Sequence, residues 1–280
     1  MAQRLRGGGL VALTVATLAA LVLLIGLGNW QWQRKAWKEE LIATMEARAS
    51  AEPLPPERWS TLTCSPVHEV GLAGSCEFMT VRLVGKFDNP DERHVFTTAP
   101  AGASPGGAGY WVFTPFELAG GNGRIYVNRG FVPEARKDPQ TRPEGQIQGE
   151  TELIGQLRTA EQAGMFTGES NPAANIWFLR NPREFLTRSG VEGARLARWQ
   201  GSGPSGLDFY VDQIGPTPPG GLPAPRPSRL ELPNRHLEYA LTWWGLALTL
   251  LAVYIAFVIS RLRGSESRVL DPRPPSRSPR

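Results

Sequence analysis

Histidine and cysteine are scarce in this chain: its 280 residues hold three of the first and two of the second. The few histidines fall in no catalytic signature. There is no H-E-x-x-H, no P-loop and no G-x-S-x-G elbow, so zinc-protease, nucleotide-triphosphatase and α/β-hydrolase chemistry lack the residues they need. Gly26-Leu27-Gly28 lies inside an apolar run and is no nucleotide loop. Charge is missing as well, but only locally. Residues 7–33, between Arg6 and Arg34, and residues 239–260, between Glu238 and Arg261, carry none. Each is long enough as a helix to cross a hydrocarbon core of about 30 Å.

Two crossings put both tails on one side and the whole middle on the other. The tails carry eight arginines against Glu266 and Asp271, so the net charge of +4 belongs to them and the middle is mildly acidic. Arginine-rich tails predict cytoplasmic termini, with Arg34, Lys35 and Lys38 as the opposing signal. Total charge gives no support to a nucleic-acid partner. Trp30 and Trp32 read as an interfacial belt holding an uncleaved anchor, because Gly28-Asn29-Trp30 makes a poor cleavage site. A mitochondrial presequence has no room before residue 8. The expected layout is a cytoplasmic start at 1–7, a first span at 8–32, an extracytoplasmic domain at 33–238, a second span at 239–260 and a disordered cytoplasmic tail at 261–280. The compartment this favours is the bacterial inner membrane with a periplasmic domain.

Helix one should continue past the lipid to about Arg48, because Trp37, Leu41, Ile42 and Met45 recur at helical spacing. Pro53, Pro55 and Pro56 stop it. Residues 57–78 read as a loop around Cys64 and Cys76. In an oxidising compartment these two could form a disulfide; free thiols, or metal ligation together with His68, are the alternatives. Strands are expected at 79–87, 94–98, 151–158 and 207–213, with a short aromatic one at 175–179. Residues 110–118 and 124–128 should form a hairpin, and 182–189 a short helix. The stretches 99–109 and 214–229, rich in Gly and Pro, should be irregular. The fold class that follows is an α+β membrane protein: two transmembrane helices flanking a compact, mostly antiparallel β domain.

His236 draws notice by position, just ahead of the second span. If Asn234 caps that helix, the positive end of its dipole favours a neutral ring with a free lone pair, and such a ring can ligate haem iron. The plain alternative is an interfacial residue making one hydrogen bond. An ideal helix puts His236 on a face with Ala240, Trp243 and Ala247. Gly245, Thr249, Ala252 and Ala256 form a small-residue stripe roughly opposite, and Ala12, Ala16, Ala19 and Ala20 form one on helix one. If these stripes are the contact, His236 points away from helix one. Arg129, in Val127-Asn128-Arg129-Gly130, is either a turn residue reaching an acceptor or a fork for a carboxylate or haem propionate.

Several segments together resemble a known family. They are Leu27-Gly-Asn-Trp-Gln-Trp-Gln-Arg-Lys35, Gly109-Tyr-Trp-Val-Phe-Thr-Pro115, Tyr126-Val-Asn-Arg-Gly-Phe-Val-Pro133, Asn175-Ile-Trp177, and Pro233-Asn-Arg-His-Leu-Glu-Tyr-Ala-Leu-Thr-Trp-Trp-Gly-Leu-Ala247. In order and in content they resemble the surfeit-locus cytochrome c oxidase assembly factors, over about residues 20 to 258. The resemblance implies a non-enzymatic factor acting while haem a is delivered to, or secured in, the oxidase catalytic subunit, with haem a synthase as a further partner. It implies haem a as a transient cofactor and His236 as its iron ligand. Tyr239, Trp243, Trp32 and Arg129 are the other candidate binding residues. A cofactor-free scaffold is the runner-up reading. A membrane-anchored periplasmic enzyme is a third, and needs a pocket of converging titratable groups. The cysteine pair, the 99–109 loop and Trp244 depart from the family pattern, and the family offers no role for the cysteines.

Overall fold

A computed structural model of the chain describes residues 2–55, 57–58, 64–100, 106–121, 123–188, 207–225 and 234–269. The chain divides into two units, Met1–Ile42 with Leu232–Arg280, and Ala43–Glu231.

The first unit is built on two helices, α1 (Ala2–Ser50) and α4 (His236–Val269). Both are long and apolar enough to cross a membrane. Along α1 the sheltered positions include Leu10, Thr14, Thr17, Leu21, Leu24, Gly28, Gln31 and Lys35, with Ala20 and Leu27 beside them. Along α4 they run His236, Ala240, Trp243, Ala247, Leu250 and Tyr254. Both series step alternately by four and three, the seam of two antiparallel helices packed at a shallow angle. The Thr14 hydroxyl meets the Tyr254 hydroxyl at 2.7 Å near one end, and Gln31 meets His236 near the other.

This corrects the expected contact. Ala12, Ala16 and Ala19, like Gly245, Thr249, Ala252 and Ala256, are exposed and face outward, and of the expected stripe on helix one Ala20 alone is partly sheltered. Close approach is achieved instead at Gly28, where a Cβ would run into the Trp244 indole. The helix α4 also continues to Val269, so the predicted disorder from residue 261 is wrong as far as 269. The rest of that tail, 270–280, lies outside the described residues.

Among the described residues the second unit holds six strands: β1 (Thr80–Phe87), β2 (Arg93–Thr98), β3 (Ala108–Leu118), β4 (Arg124–Pro133), β5 (Thr151–Thr159) and β6 (Phe209–Ile214). Their order is β1-β5-β6-β4-β3-β2, and β1 also pairs with β3. That extra pairing closes five strands into a ring, with β2 added outside it. Among the pairings of these described strands, only that of β4 with β6 is parallel. Counting the ring strands alone in chain order, the sequence around the barrel is 1-2-3-5-4 with the third and fifth parallel. This is the connectivity of an OB-type barrel, and fold alone assigns no ligand.

The long strand β3 makes closure possible, because its first half pairs with β2 and its last residues, Phe116 to Leu118, pair with β1. Alternation then sorts the side chains. Val81, Leu83, Phe116, Ile125, Val127, Leu157 and Val211 fill one core. Trp111, Phe113, Tyr126 and Tyr210 point to the other face, where Trp177 and Phe185 of α3 (Pro182–Arg188) cover them. Edge-to-face ring contacts such as Phe113–Phe185 at 5.4 Å and Trp177–Phe185 at 5.1 Å knit this second layer.

Three local expectations change. The cysteine segment holds a short helix, α2 (Val67–Gly74), entered after Pro66; Gly71 and Gly74 hide it from a periodicity reading. Residues 175–179 form no strand, but isolated bridges from Ile176 to Asn171 and from Trp177 to Val95, because Asn175 turns left-handed at φ 49°. The strand β4 runs on through Pro133 rather than ending at Asn128. In the 119–123 connection, Gly120 and Gly123 take positive φ as expected; residue 122, like 59–63, 101–105 and 226–229 of the expected loops, lies outside the described residues.

Cys64 and Cys76 form a disulfide with their Cα atoms 5.3 Å apart, and both sulfurs sit against the barrel core. Of the three alternatives, the structural bond is the one present. Closing a loop of this length contributes about 2–4 kcal/mol. Replacing both cysteines by serine should lower the denaturation midpoint of the β domain accordingly, measured by tryptophan fluorescence in urea; an unchanged midpoint would show that the bond constrains nothing.

Candidate functional site

Two groups of polar residues stand out, one in each unit. In the helix pair, His236 is the first residue of α4. Its ring is partly sheltered, and Nδ1 lies 2.8 Å from Gln31 Oε1. The ring therefore faces helix one, contrary to the outward orientation expected from the alanine stripes. The physical reason is the seam, which begins at His236 and passes through Ala240 and Ala247. The Nε2 edge has no hydrogen-bond partner among the described residues. Asn234 does not cap the helix as expected: its Oδ1 is buried without a partner among the described residues.

Aromatic rings surround the same end. Trp32 is 49% exposed and Tyr239 55% exposed, and Trp243 is half-buried. Trp244 adds a cross-helix ring contact, with its ring centre 6.1 Å from that of Trp32. Lys35 Nζ approaches the Trp32 ring at 5.3 Å. The structure thus gathers His236, Trp32, Tyr239 and Trp243 at one end of the helix pair. Sequence reasoning missed Gln31, Gly28 and Trp244. The four-three spacing of Leu24, Gly28, Gln31 and Lys35 was the signal that could have found them.

Arg129 belongs to the β domain and is 2% exposed. Val112 pairs with Gly130 and Phe113 with Asn128, so Arg129 is the extra, unpaired residue of a β-bulge. Gly130 supports the bulge at φ 131°, where its α-carbon abuts the Ala224 carbonyl and leaves no room for a side chain. The bulge turns Arg129 inward, where it donates to Asn89 Oδ1 and to the Gly145 carbonyl and lies 4.4 Å from the Phe87 ring centre. Burial, together with the nearby Arg142, lowers its pKa to about 10 against the opposing pull of Glu92. The guanidinium thus reaches acceptors within its own domain, from a bulge inside β4 rather than from the turn that was expected there.

Beside it lies a buried cluster. His94 Nε2 meets Glu92 Oε1 at 2.5 Å, and Asn175 Nδ2 donates to His94 Nδ1 at 3.2 Å. Arg142 grips both Glu92 oxygens and also donates to the Arg136 and Lys137 carbonyls. Trp177 Nε1 donates to Asn175 Oδ1 at 2.8 Å. With their donors and acceptors used internally, these residues tie segments 134–146 and 171–177 to β2. Burial by itself would raise the Glu92 carboxyl, but hydrogen bonds from His94 and Arg142 hold it below its ordinary value. A carboxyl held low stabilises the fold above its unfolded pKa of about 4.3, and that stabilisation disappears as pH falls through the lower folded value. Glu92→Gln should therefore cost about 3–5 kcal/mol at neutral pH by stranding Arg142. It should also flatten the loss of stability below about pH 4.5. Urea melts across a pH series would check both, and a variant as acid-sensitive as wild type would contradict the assignment.

An apolar two-helix membrane unit, interrupted in sequence by a closed β-barrel domain and headed by a histidine, defines a class of membrane-anchored protein. No group of three or more His, Cys, Asp or Glu residues that could hold a metal ion occurs among the described residues. The chain matches the SURF1 family over residues 18–248. It is 36% identical to Surfeit locus protein 1 of Homo sapiens, across 81% of this chain and 71% of that protein. It is 33% identical to the protein of the same name from Rattus norvegicus, across 79% and 67%. It is 34% identical to a SURF1-like protein of Monosiga brevicollis, across 98% and 95%. The chain belongs to the SURF1 family, the surfeit-locus oxidase assembly factors that its motifs resemble.

Proposed function

We propose that this protein is a non-enzymatic assembly factor that assists delivery of haem a to, or its retention in, the catalytic subunit of a haem–copper cytochrome c oxidase. In this reading the protein sits in a bacterial inner membrane, with residues 33–238 on the periplasmic side. Haem a synthase is the natural donor and the catalytic subunit the acceptor. The observation that carries the reading is the Nε2 edge of His236 at the head of α4, without a partner among the described residues and beside exposed Trp32 and Tyr239. An imidazole nitrogen with aromatic surface around it suits an apolar iron porphyrin. His236 would hold the iron, while Trp32, Tyr239 and Trp243 would flank the macrocycle. Haem supplies the redox-active iron that the client needs; this chain's residues bind it, orient it and keep it from water. Arg129 falls outside this set, since its donors are used within the β domain.

A cofactor-free scaffold is favoured by one observation: the barrel is filled with side chains, so the β domain acts through its surface. The two readings separate on the full-length protein purified in detergent after co-expression with haem a synthesis. His236→Ala should abolish the haem absorption while leaving the circular dichroism spectrum intact. An unchanged haem spectrum would defeat the ligand assignment. A colourless wild-type protein that still co-purifies with oxidase subunits would establish the scaffold.

The orientation has its own test. A periplasm-dependent reporter such as alkaline phosphatase, fused at residue 150, should be active, whereas activity from a cytosolic reporter at that position would reverse the topology.

A further inference from the structure

The contact between Gln31 Oε1 and His236 Nδ1, 2.8 Å long, has a direction. An amide oxygen carries only lone pairs, so the proton in this bond belongs to Nδ1. In the neutral ring, which has one N–H, this arrangement leaves the lone pair on Nε2. The two residues are 205 positions apart and come from different helices. Their alignment is held by neighbours on the same seam. Gly28 lets the Trp244 indole down onto α1, and Trp244 also meets Trp32. Sliding one helix along the other would break these contacts together with the hydrogen bond.

We infer that Gln31 is a positioning residue: it fixes His236 as the Nδ1–H tautomer, aims Nε2 as the ligand atom, and through its acceptor strength sets how strongly that nitrogen donates to iron. This rests on the haem reading of His236. The physical basis is general, since a partner on the far nitrogen of a ligating histidine fixes its tautomer and raises its basicity. A glutamine that merely glued the helices would contribute adhesion and leave the electronic character of the ring unchanged.

Two variants separate these roles in full-length, detergent-purified protein loaded with haem a by co-expression. Gln31→Leu removes the acceptor. Gln31→Glu keeps an acceptor of similar size and makes it anionic. Haem a affinity is read by competition with apomyoglobin, and the midpoint potential by redox titration. Gln31→Leu should hold haem a roughly 10- to 100-fold more weakly than wild type. Gln31→Glu should hold it at least as well, with the midpoint potential shifted to more negative values, because an anionic acceptor pushes electron density through the ring.

Wild-type affinity in Gln31→Leu, or a wild-type potential in Gln31→Glu, would overturn the assignment. Should Gln31→Leu fail to fold, the potential of Gln31→Glu still decides. Loss of haem in His236→Ala with unaltered Gln31 variants sinks the role of Gln31 alone. Full haem retention in His236→Ala sinks the haem reading and this inference with it.

Discussion

Two polar contacts set the register of a helix pair that otherwise shares apolar surface: Gln31 with His236, and Thr14 with Tyr254. In lipid, apolar side chains gain nothing by choosing each other over acyl chains, so packing fit and hydrogen bonds decide how helices align. The fit comes from Gly28, which accepts an indole against its backbone. The direction comes from the hydrogen bonds, which join the start of α4 to the end of the apolar run in α1. His236 is thereby held rather than left to swing at the membrane surface. Every functional statement about that ring depends on this register.

The β domain solves a different problem. Its sheet has few open edges because the long strand β3 is shared, serving β2 with one half and β1 with its end. A bulge in β4 then redirects one side chain, Arg129, into the interior. A buried guanidinium needs its donors met, and Asn89, Gly145 and the Phe87 ring surround it. The neighbouring Glu92–His94–Arg142–Asn175 cluster binds the irregular segments in the same way. These groups have the composition of a catalytic site but the hydrogen-bond economy of a tie, with each polar atom facing inward to the chain itself. The disulfide between Cys64 and Cys76 adds a covalent tie at the barrel core.

The α+β class, the two apolar helices, the hairpin at 110–128 and the four other described strands are legible in the sequence, because they rest on local patterns: alternation, apolar runs, Gly-rich turns. What failed depended on partners. The alanine stripes looked like a helix interface because small residues permit close approach, yet the seam follows a four-three repeat containing only one glycine contact. Asn175-Ile176-Trp177 looked like a strand by composition, but Asn175 adopts a left-handed turn that its side-chain bonds to Glu92 and His94 sustain. The segment Val127-Asn128-Arg129-Gly130 was noticed as a polar turn, and its bulge became visible only through the register with β3. Gln31 is harder to find, because the alanine stripes draw attention to another face and its four-three spacing with Gly28 and Lys35 gains meaning only beside the matching series on α4.

Chain order by itself determined that this is a membrane-anchored SURF1-family protein whose middle forms a β domain, since hydrophobic length, charge placement and motif order are one-dimensional properties. Tertiary structure alone decided which way His236 faces, which of its nitrogens is occupied and that Arg129 is enclosed. Those outcomes depend on contacts between residues far apart in the chain, up to 205 positions for Gln31 and His236. Hydrogen bonds are short and directional, so a shift of one helical position would leave the same side chains present and their chemistry different.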